Sequence, residues 1–388
     1  MTLWPASRRP RRRGSPITTR EGSGRPARRQ GRGGAGVKIW LIGPGRAGRA
    51  LARAWRAAGL HVELVVGRRR EAAGELAASV GARALTWQEL GELLRAGAAE
   101  APPAAVVLAV PDRAVAAVAR DLAGWLEAAG AGYRPAHALH LSGALGLEPL
   151  APLARLGSVP EVFHPLAPLT GRESDGERLR GARVTVVHPA GVEPLGPELA
   201  AAVGAVPVVW PSPTDEQLAL YHAAATLAAN AVTALLWAAE DLLQRASYPA
   251  EHARPALIAL AGGALANAAS LGPLPALTGP IARGDVVTVS KHLQALASLA
   301  EHARPVPAGH GGEAASQHSP VQVPARAQDL GVDPGAMAIS AAKRRYALAA
   351  RLILEAAEAR QAAGSDDLHH RLDEIAQLLR DATGEARP

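Results

Sequence analysis

The chain has 388 residues, enough for two domains with sizeable cores, and only 3% of them are aromatic. The absence of cysteine excludes disulfides, thiol nucleophiles and cysteine-ligated metals. The net charge of +7 is carried by residues 1–36, where ten arginines face one acid. The rest is slightly acidic, unlike a globular domain with a nucleic-acid footprint in its folded body.

Residues 1–36 are a Gly/Pro/Ser/Arg tail whose composition is expected to lack packed structure. "SRRPRRR" hints at a twin-arginine signal, but no apolar segment follows, so export is not expected. An arm that adheres to RNA or membrane is the alternative. From 37 to about 211, short apolar runs alternate with helical patterning, as in an α/β domain with a mostly parallel sheet. Strands are predicted at 37–42, 61–66, 104–110, 136–141, 159–163, 183–187 and 206–210, with amphipathic helices at 46–58 and 112–129.

Beyond Trp210 the pattern becomes all-α, with helices expected near 214–245, 250–270, 286–300 and 334–361 and a shorter one after them. Thr214 and Gln217 have capping-box spacing, and Asp333-Pro334 reads as a cap followed by proline at the first helical position. Residues 303–326 read as a flexible insertion inside a helical domain spanning 212–385. The run 218–239, "LALYHAAATLAANAVTALLWAA", is long enough to cross a bilayer. It is rich in alanine, however, and Asp215, Glu216, Glu240 and Asp241 flank it in place of basic anchors. A helix apolar on all sides in a soluble protein is buried, often between subunits. The expectation is a homodimer built on the helical domain, in the cytoplasm, without membrane or nucleic-acid contact.

The stretch "VKIWLIGPGRAGRALARAW" holds Gly43-x-Gly45-x-x-Gly48 between a predicted strand and a predicted helix. In that context the pattern is a Rossmann dinucleotide fingerprint. Gly43 permits the turn, Gly45 lets backbone approach a pyrophosphate, and Gly48 lets helix and strand pack. Arg46, Ala47 and Gly48 then present helix N-terminal N–H groups to phosphate. An NAD site ends its second strand with an acid for the ribose 2′-hydroxyl. Here that strand runs into Gly67-Arg68-Arg69-Arg70, and Glu63 lies near the strand start, too early to reach the ribose. Arg68 and Arg69 suit a 2′-phosphate, so NADP(H) is the expected cofactor; Arg70 reads better as a solvated helix start. Val110 and Pro111, at the end of 104–110, should pass beside the nicotinamide-ribose, and Asp112 is expected to cap the next helix.

"LIGPGRAG", "LAVPDRAV", "HLSGALGLEPL", "FHPLAPL", "YHAAATLAANAV" and "LTGPIARGD" occur in this order. Together they resemble bacterial proteins that join an oxidoreductase-type Rossmann-like domain to a C-terminal domain of unknown function, the DUF2520 type. The resemblance covers about 37–302 and resumes weakly from 333. More distantly, the arrangement is similar to pyrroline-5-carboxylate reductase, ketopantoate reductase and 6-phosphogluconate dehydrogenase. It implies an NADP-linked reductase with a helical domain that dimerises and closes the active site, and it supplies no substrate.

His222, Thr226 and Asn230 are spaced i, i+4, i+8 and form one stripe of the long helix. The stripe matches the place where the distant relatives carry a catalytic Lys and an Asn. With no lysine there, His222 would be the proton donor and Thr226 a substrate contact; a histidine and asparagine bonded across a dimer core is the other reading. Ser142, with the Gly143 N–H, is a candidate for binding a carbonyl, and His164 is a candidate second acid or a loop hydrogen-bonder. Arg283 reads as a carboxylate clamp or as the partner of Asp285, which itself suits the N-cap of 286–300. No metal is expected, since no ligand spacing accompanies the histidines. The expected activity is NADP(H)-dependent reduction of a small C=O or C=N substrate. An NADP(H) sensor or scaffold without turnover, and a reductase using deazaflavin, are the rivals.

Overall fold

The computed structural model describes residues 37–97, 101–130, 132–302, 334–360 and 366–383. The arginine tail, Asp333 and the 303–326 insertion lie outside the described residues. Two compact units result, the first ending at Ala219 and the second beginning at Leu220.

Eight strands form the sheet of the first unit: β1 Lys38–Ile42, β2 His61–Gly67, β3 Arg83–Thr86, β4 Ala105–Leu108, β5 His137–His140, β6 Val159–Pro165, β7 Arg183–Val187 and β8 Val206–Val209. Their order is β3-β2-β1-β4-β5-β6-β7-β8. Every neighbouring pair is parallel except β6 with β7. Seven strands fall on the predicted apolar runs; β3, "RALT", was not foreseen. The crossover segments form α1 Arg46–Ala57, α2 Arg70–Val80, α3 Trp87–Arg95, α4 Asp112–Ala129, α5 Ala151–Arg155, α6 Asp175–Leu179 and α7 Gly196–Ala202.

Strands of a parallel sheet covered on both faces read as continuous apolar runs, and β1, "KIWLI", shows why. Ile39 and Leu41 join one core layer with α1, α2 and α7, while Trp40 and Ile42 join the other with α3 and α4. Alternate side chains thus feed opposite layers. In β2 the register against β1 skips a residue, pairing Ile39 with Val62 and Trp40 with Leu64. Glu63 is the bulged residue, and the strand keeps both layers supplied because the extra residue flips the alternation.

Helix α8 Asp215–Thr226 opens on the foreseen capping box. The Thr214 N–H donates to Gln217 Oε1 at 2.8 Å, and the Gln217 N–H donates to Thr214 Oγ1 at 3.2 Å. Leu218 of its first turn is buried with Val162 and Val187, which is why the first unit extends to Ala219. A π-turn, Leu227–Ala231, leads into α9 Val232–Arg245, so the predicted 214–245 helix carries an inserted residue in its middle.

The second unit continues with α10 Ala250–Leu271, α11 Val286–His302, α12 Pro334–Arg360 and α13 Asp366–Thr383. A small core of Ile281, Val289, Leu293, Leu354, Leu372, Ile375 and Leu379 joins α11, α12 and α13, with Ala347, Ala350 and Ala357 allowing close approach. The long apolar run was expected to be buried. In the single chain it is largely exposed, Leu220, Leu227 and Trp237 included, although Asp215–Arg245 is apolar and long enough to cross a membrane by length and composition.

Candidate functional site

At the carboxyl end of β1 the chain makes its glycine turn, at the switch point where β1 lies between β2 and β4. The Gly43 N–H donates to the Val66 carbonyl at 2.8 Å, and the Ala109 N–H donates to the Ile42 carbonyl at 2.7 Å. Gly43 has φ +108°, and a Cβ there would lie 2.3 Å from the Ala109 oxygen. A Cβ on Gly48 would lie 2.3 Å from the Gly43 oxygen. Gly45 differs. Its backbone is extended, and its Cβ would meet only the Ala109 oxygen, at 3.9 Å. Nothing in the chain demands glycine at that position, so the space in front of it is left open. Arg49 fixes the turn by donating from Nε to the Pro44 carbonyl at 3.0 Å.

A cavity of about 770 Å³ opens in front of the turn, within the usual size for cofactor pockets. Gly43, Pro44 and Gly45 line it, as do Gly67, Arg68 and Arg69 beyond β2, and Val110 and Pro111 beyond β4. Arg46 and Ala47 begin α1 beside it, and Gly48 packs the helix onto the turn. The side chains of Arg68 and Arg69 are exposed and without a partner among the described residues, while Arg70, expected as a solvated helix start, pairs with Glu89. Glu63 is held elsewhere: Lys38 Nζ donates to it at 2.7 Å and Trp40 Nε1 at 2.8 Å. Partial burial raises its pKa, but the bonds and charge of Lys38 and the Trp40 bond outweigh that and hold it below the usual carboxylate value. Glu63 is therefore no ribose ligand.

The carboxyl ends of β5 and β6 bring the candidates Ser142, Gly143 and His164 together. His140, fully buried, bonds through Nε2 to the Gly146 carbonyl at 2.9 Å, and its Nδ1 accepts the Ser142 N–H at 3.2 Å. Burial pushes its pKa down, against the Gly146 bond and the charge of Asp112. The neutral ring thus ties the 140–146 loop and is structural. Ser142 Oγ accepts the Ala144 N–H at 3.2 Å. The His164 ring lies against Gly143 so closely that a Cβ there would be 2.7 Å from its Cε1. Asp112 does not cap α4 as expected. Pro111 holds that position without a side-chain bond, and Asp112 is the first helical residue, where its charge still favours the helix dipole.

The remaining candidates belong to the second unit. Half-buried His222 lies on α8, and Thr226 Oγ1 donates to the His222 carbonyl at 2.9 Å. Asn230 lies in the π-turn, whose residues advance less than the roughly 100° of an α-helix, so it falls closer to the line of His222. Arg283 is exposed and makes no ion pair among the described residues. Asp285 instead accepts the Thr288 N–H at 3.0 Å and its hydroxyl at 2.7 Å, capping α11 as foreseen. Those two bonds lead in lowering the pKa of Asp285.

Among the cavity residues that the sequence reading did not single out are Trp87 of α3 and Arg113 of α4. For Trp87 the available signal was Thr86-x-x-Glu89, a capping-box spacing that starts a helix at position 87. For Arg113 it was a basic residue two positions beyond Pro111, at the end of the strand already singled out.

Residues 24–165 match the family profile of a Rossmann-like domain, and residues 187–306 match that of a domain of unknown function, DUF2520. The chain joins a Rossmann-like domain to a DUF2520 domain. A candidate NADP oxidoreductase from Bacteroides fragilis is 24% identical, with a TM-score of 0.51 over 68% of this chain and 92% of that one. This supports the shared fold. A protein of Thermotoga maritima is 20% identical, with a TM-score of 0.47 over 67% and 90% of the two chains. A pyrroline-5-carboxylate reductase from Coxiella burnetii is 15% identical, with a TM-score of 0.44 over 88% and 97%. Comparison with curated proteins finds no match.

Proposed function

We propose that this protein is an NADP(H)-dependent reductase of a small C=O or C=N substrate. The observation that carries the reading is the cavity in front of Gly45, whose lining holds three arginines and no acid. Open space at Gly45 admits a pyrophosphate to the backbone, and the start of α1 offers it N–H groups and a positive dipole end. Arg68 and Arg69 hold the 2′-phosphate, and Val110 and Pro111 flank the nicotinamide-ribose.

The bound nicotinamide supplies or accepts the hydride. Around it, Ser142 and the Gly143 N–H bind the substrate oxygen or nitrogen, and His164 is the candidate proton donor. In the helical unit, His222 is the other candidate proton donor, Thr226 and Asn230 are candidate substrate contacts, and Arg283 is a candidate carboxylate clamp. The helical unit also makes the dimer, which covers the exposed apolar side chains of α8, α9 and α10. The cysteine-free composition fits the cytoplasm.

Calorimetric titration with NADPH and NADH tests the reading. NADPH should bind about tenfold or more tightly, and Arg68→Ala should remove most of that preference. Equal affinities overturn the assignment. A sensor without turnover is favoured by one observation, the lack of lysine along 215–245. Steady NADPH oxidation with any member of a keto-acid, imine and aldehyde panel decides against it.

A further inference from the structure

Trp87 and Arg113 line the same cavity as Arg68. Gly67 at the end of β2 pairs with Thr86 at the end of β3, so Arg68 and Trp87 leave the sheet on adjacent strands. Trp87 is held from behind and below. Trp125 packs on it with ring centroids 4.5 Å apart, and Trp125 fits only because residue 91 is glycine, whose Cβ would lie 2.9 Å from that ring. The start of α3 is fixed by Glu89, which accepts the Thr86 N–H at 2.7 Å and the Thr86 hydroxyl at 2.9 Å and pairs with Arg70. Across the cavity, Arg113 stands on the first turn of α4, exposed and without a side-chain partner among the described residues. Ala72, Ala114 and Val118 complete an apolar slot beside Trp87.

We infer that Trp87 is the platform on which the adenine base stacks, and that Arg113 faces Arg68 across the slot so that guanidinium groups grip the ribose phosphate from both walls. The inference rests on the dinucleotide reading and adds which residues select its adenosine half. A π-face accepts a planar base without regard to the phosphate, whereas guanidinium groups on two walls respond to the additional phosphate charge. The two roles are therefore separable by ligand.

The experiment uses fragments that lack nicotinamide. Calorimetry measures 2′,5′-ADP, 3′,5′-ADP and 5′-ADP on the full chain and on Trp87→Ala, Trp87→Phe and Arg113→Met, with circular dichroism and Tm confirming each fold. Arg113→Met should weaken 2′,5′-ADP about tenfold while leaving 5′-ADP within about twofold. Trp87→Ala should weaken 2′,5′-ADP and 5′-ADP alike by about fivefold or more, and Trp87→Phe should restore most of that loss. Quenching of tryptophan fluorescence by 5′-ADP should shrink in the Phe variant. Preference for 3′,5′-ADP over 2′,5′-ADP, or an unchanged phosphate preference in Arg113→Met, overturns the arginine pair. Undiminished binding by Trp87→Ala overturns the platform. If the wild type binds NADPH but these variants behave as wild type, only this inference fails; if it binds none of these ligands, the dinucleotide reading falls with it.

Discussion

A methyl group at Gly43 meets the Ala109 oxygen and adopts a backbone conformation that L-residues rarely hold, whereas the same group at Gly45 meets almost nothing. The two positions therefore separate folding from binding. Gly43→Ala should destabilise the first unit by about 2–4 kcal/mol, combining strain with a clash against main chain. Gly45→Val should leave Tm nearly unchanged and reduce NADPH affinity at least about tenfold, since its side chain fills the space a pyrophosphate needs. Thermal melts and titration of the two variants check this. Arg68 and Glu63 were legible at this scale because each follows from its position along one strand. The place of Trp87 in the cavity was not, because it depends on β3, which went unseen, lying beside β2; Arg113 was passed over although it follows a strand already singled out.

Elements were legible where their chemistry is local. Capping by Thr214 and by Asp285 follows from spacing alone, and the structure places both bonds. Strand β3 is four residues with an arginine and a threonine and only Leu85 buried, too short to generate a period. It forms because the outer edge of β2 offers it a partner. The π-turn was equally invisible, since one inserted residue leaves an apolar run apolar. The loop after β5 carries a prediction of its own. His140 is neutral and bonded at both nitrogens, so a proton on Nδ1 would face the Ser142 N–H. Its folded pKa lies below the ordinary value of 6.5, so the unfolded chain takes up the proton first. The stability it contributes is fully present above pH about 6.5 and is lost as the pH falls. Thermal melts should show Tm falling as the pH drops below about 6.5, and His140→Gln should flatten that slope. Comparison of the variant with the wild type separates His140 from the other histidines, among them His137, which contacts Glu161 at 2.8 Å.

At the level of the whole molecule, the two units differ in how they satisfy their apolar side chains. The sheet unit has two layered cores, while the helical unit encloses a small one and leaves Ile258, Leu260 and Leu265 of α10 more than half exposed. Coverage by a second copy predicts a sedimentation mass near twice the 39.9 kDa of the chain. Leu260→Asp, at 73% exposure, should release monomers without unfolding the sheet unit. A monomeric wild type at micromolar concentration removes the dimer.

The pairing of Gly67 with Thr86 has an evolutionary corollary. The arginines that would discriminate one coenzyme from another are exposed, Arg68 and Arg69 just beyond β2 and Arg113 on the first turn of α4. Selection can therefore rewrite coenzyme choice at Arg68 and its neighbours by single codons, while the scaffold that presents them pays no stability for the experiment.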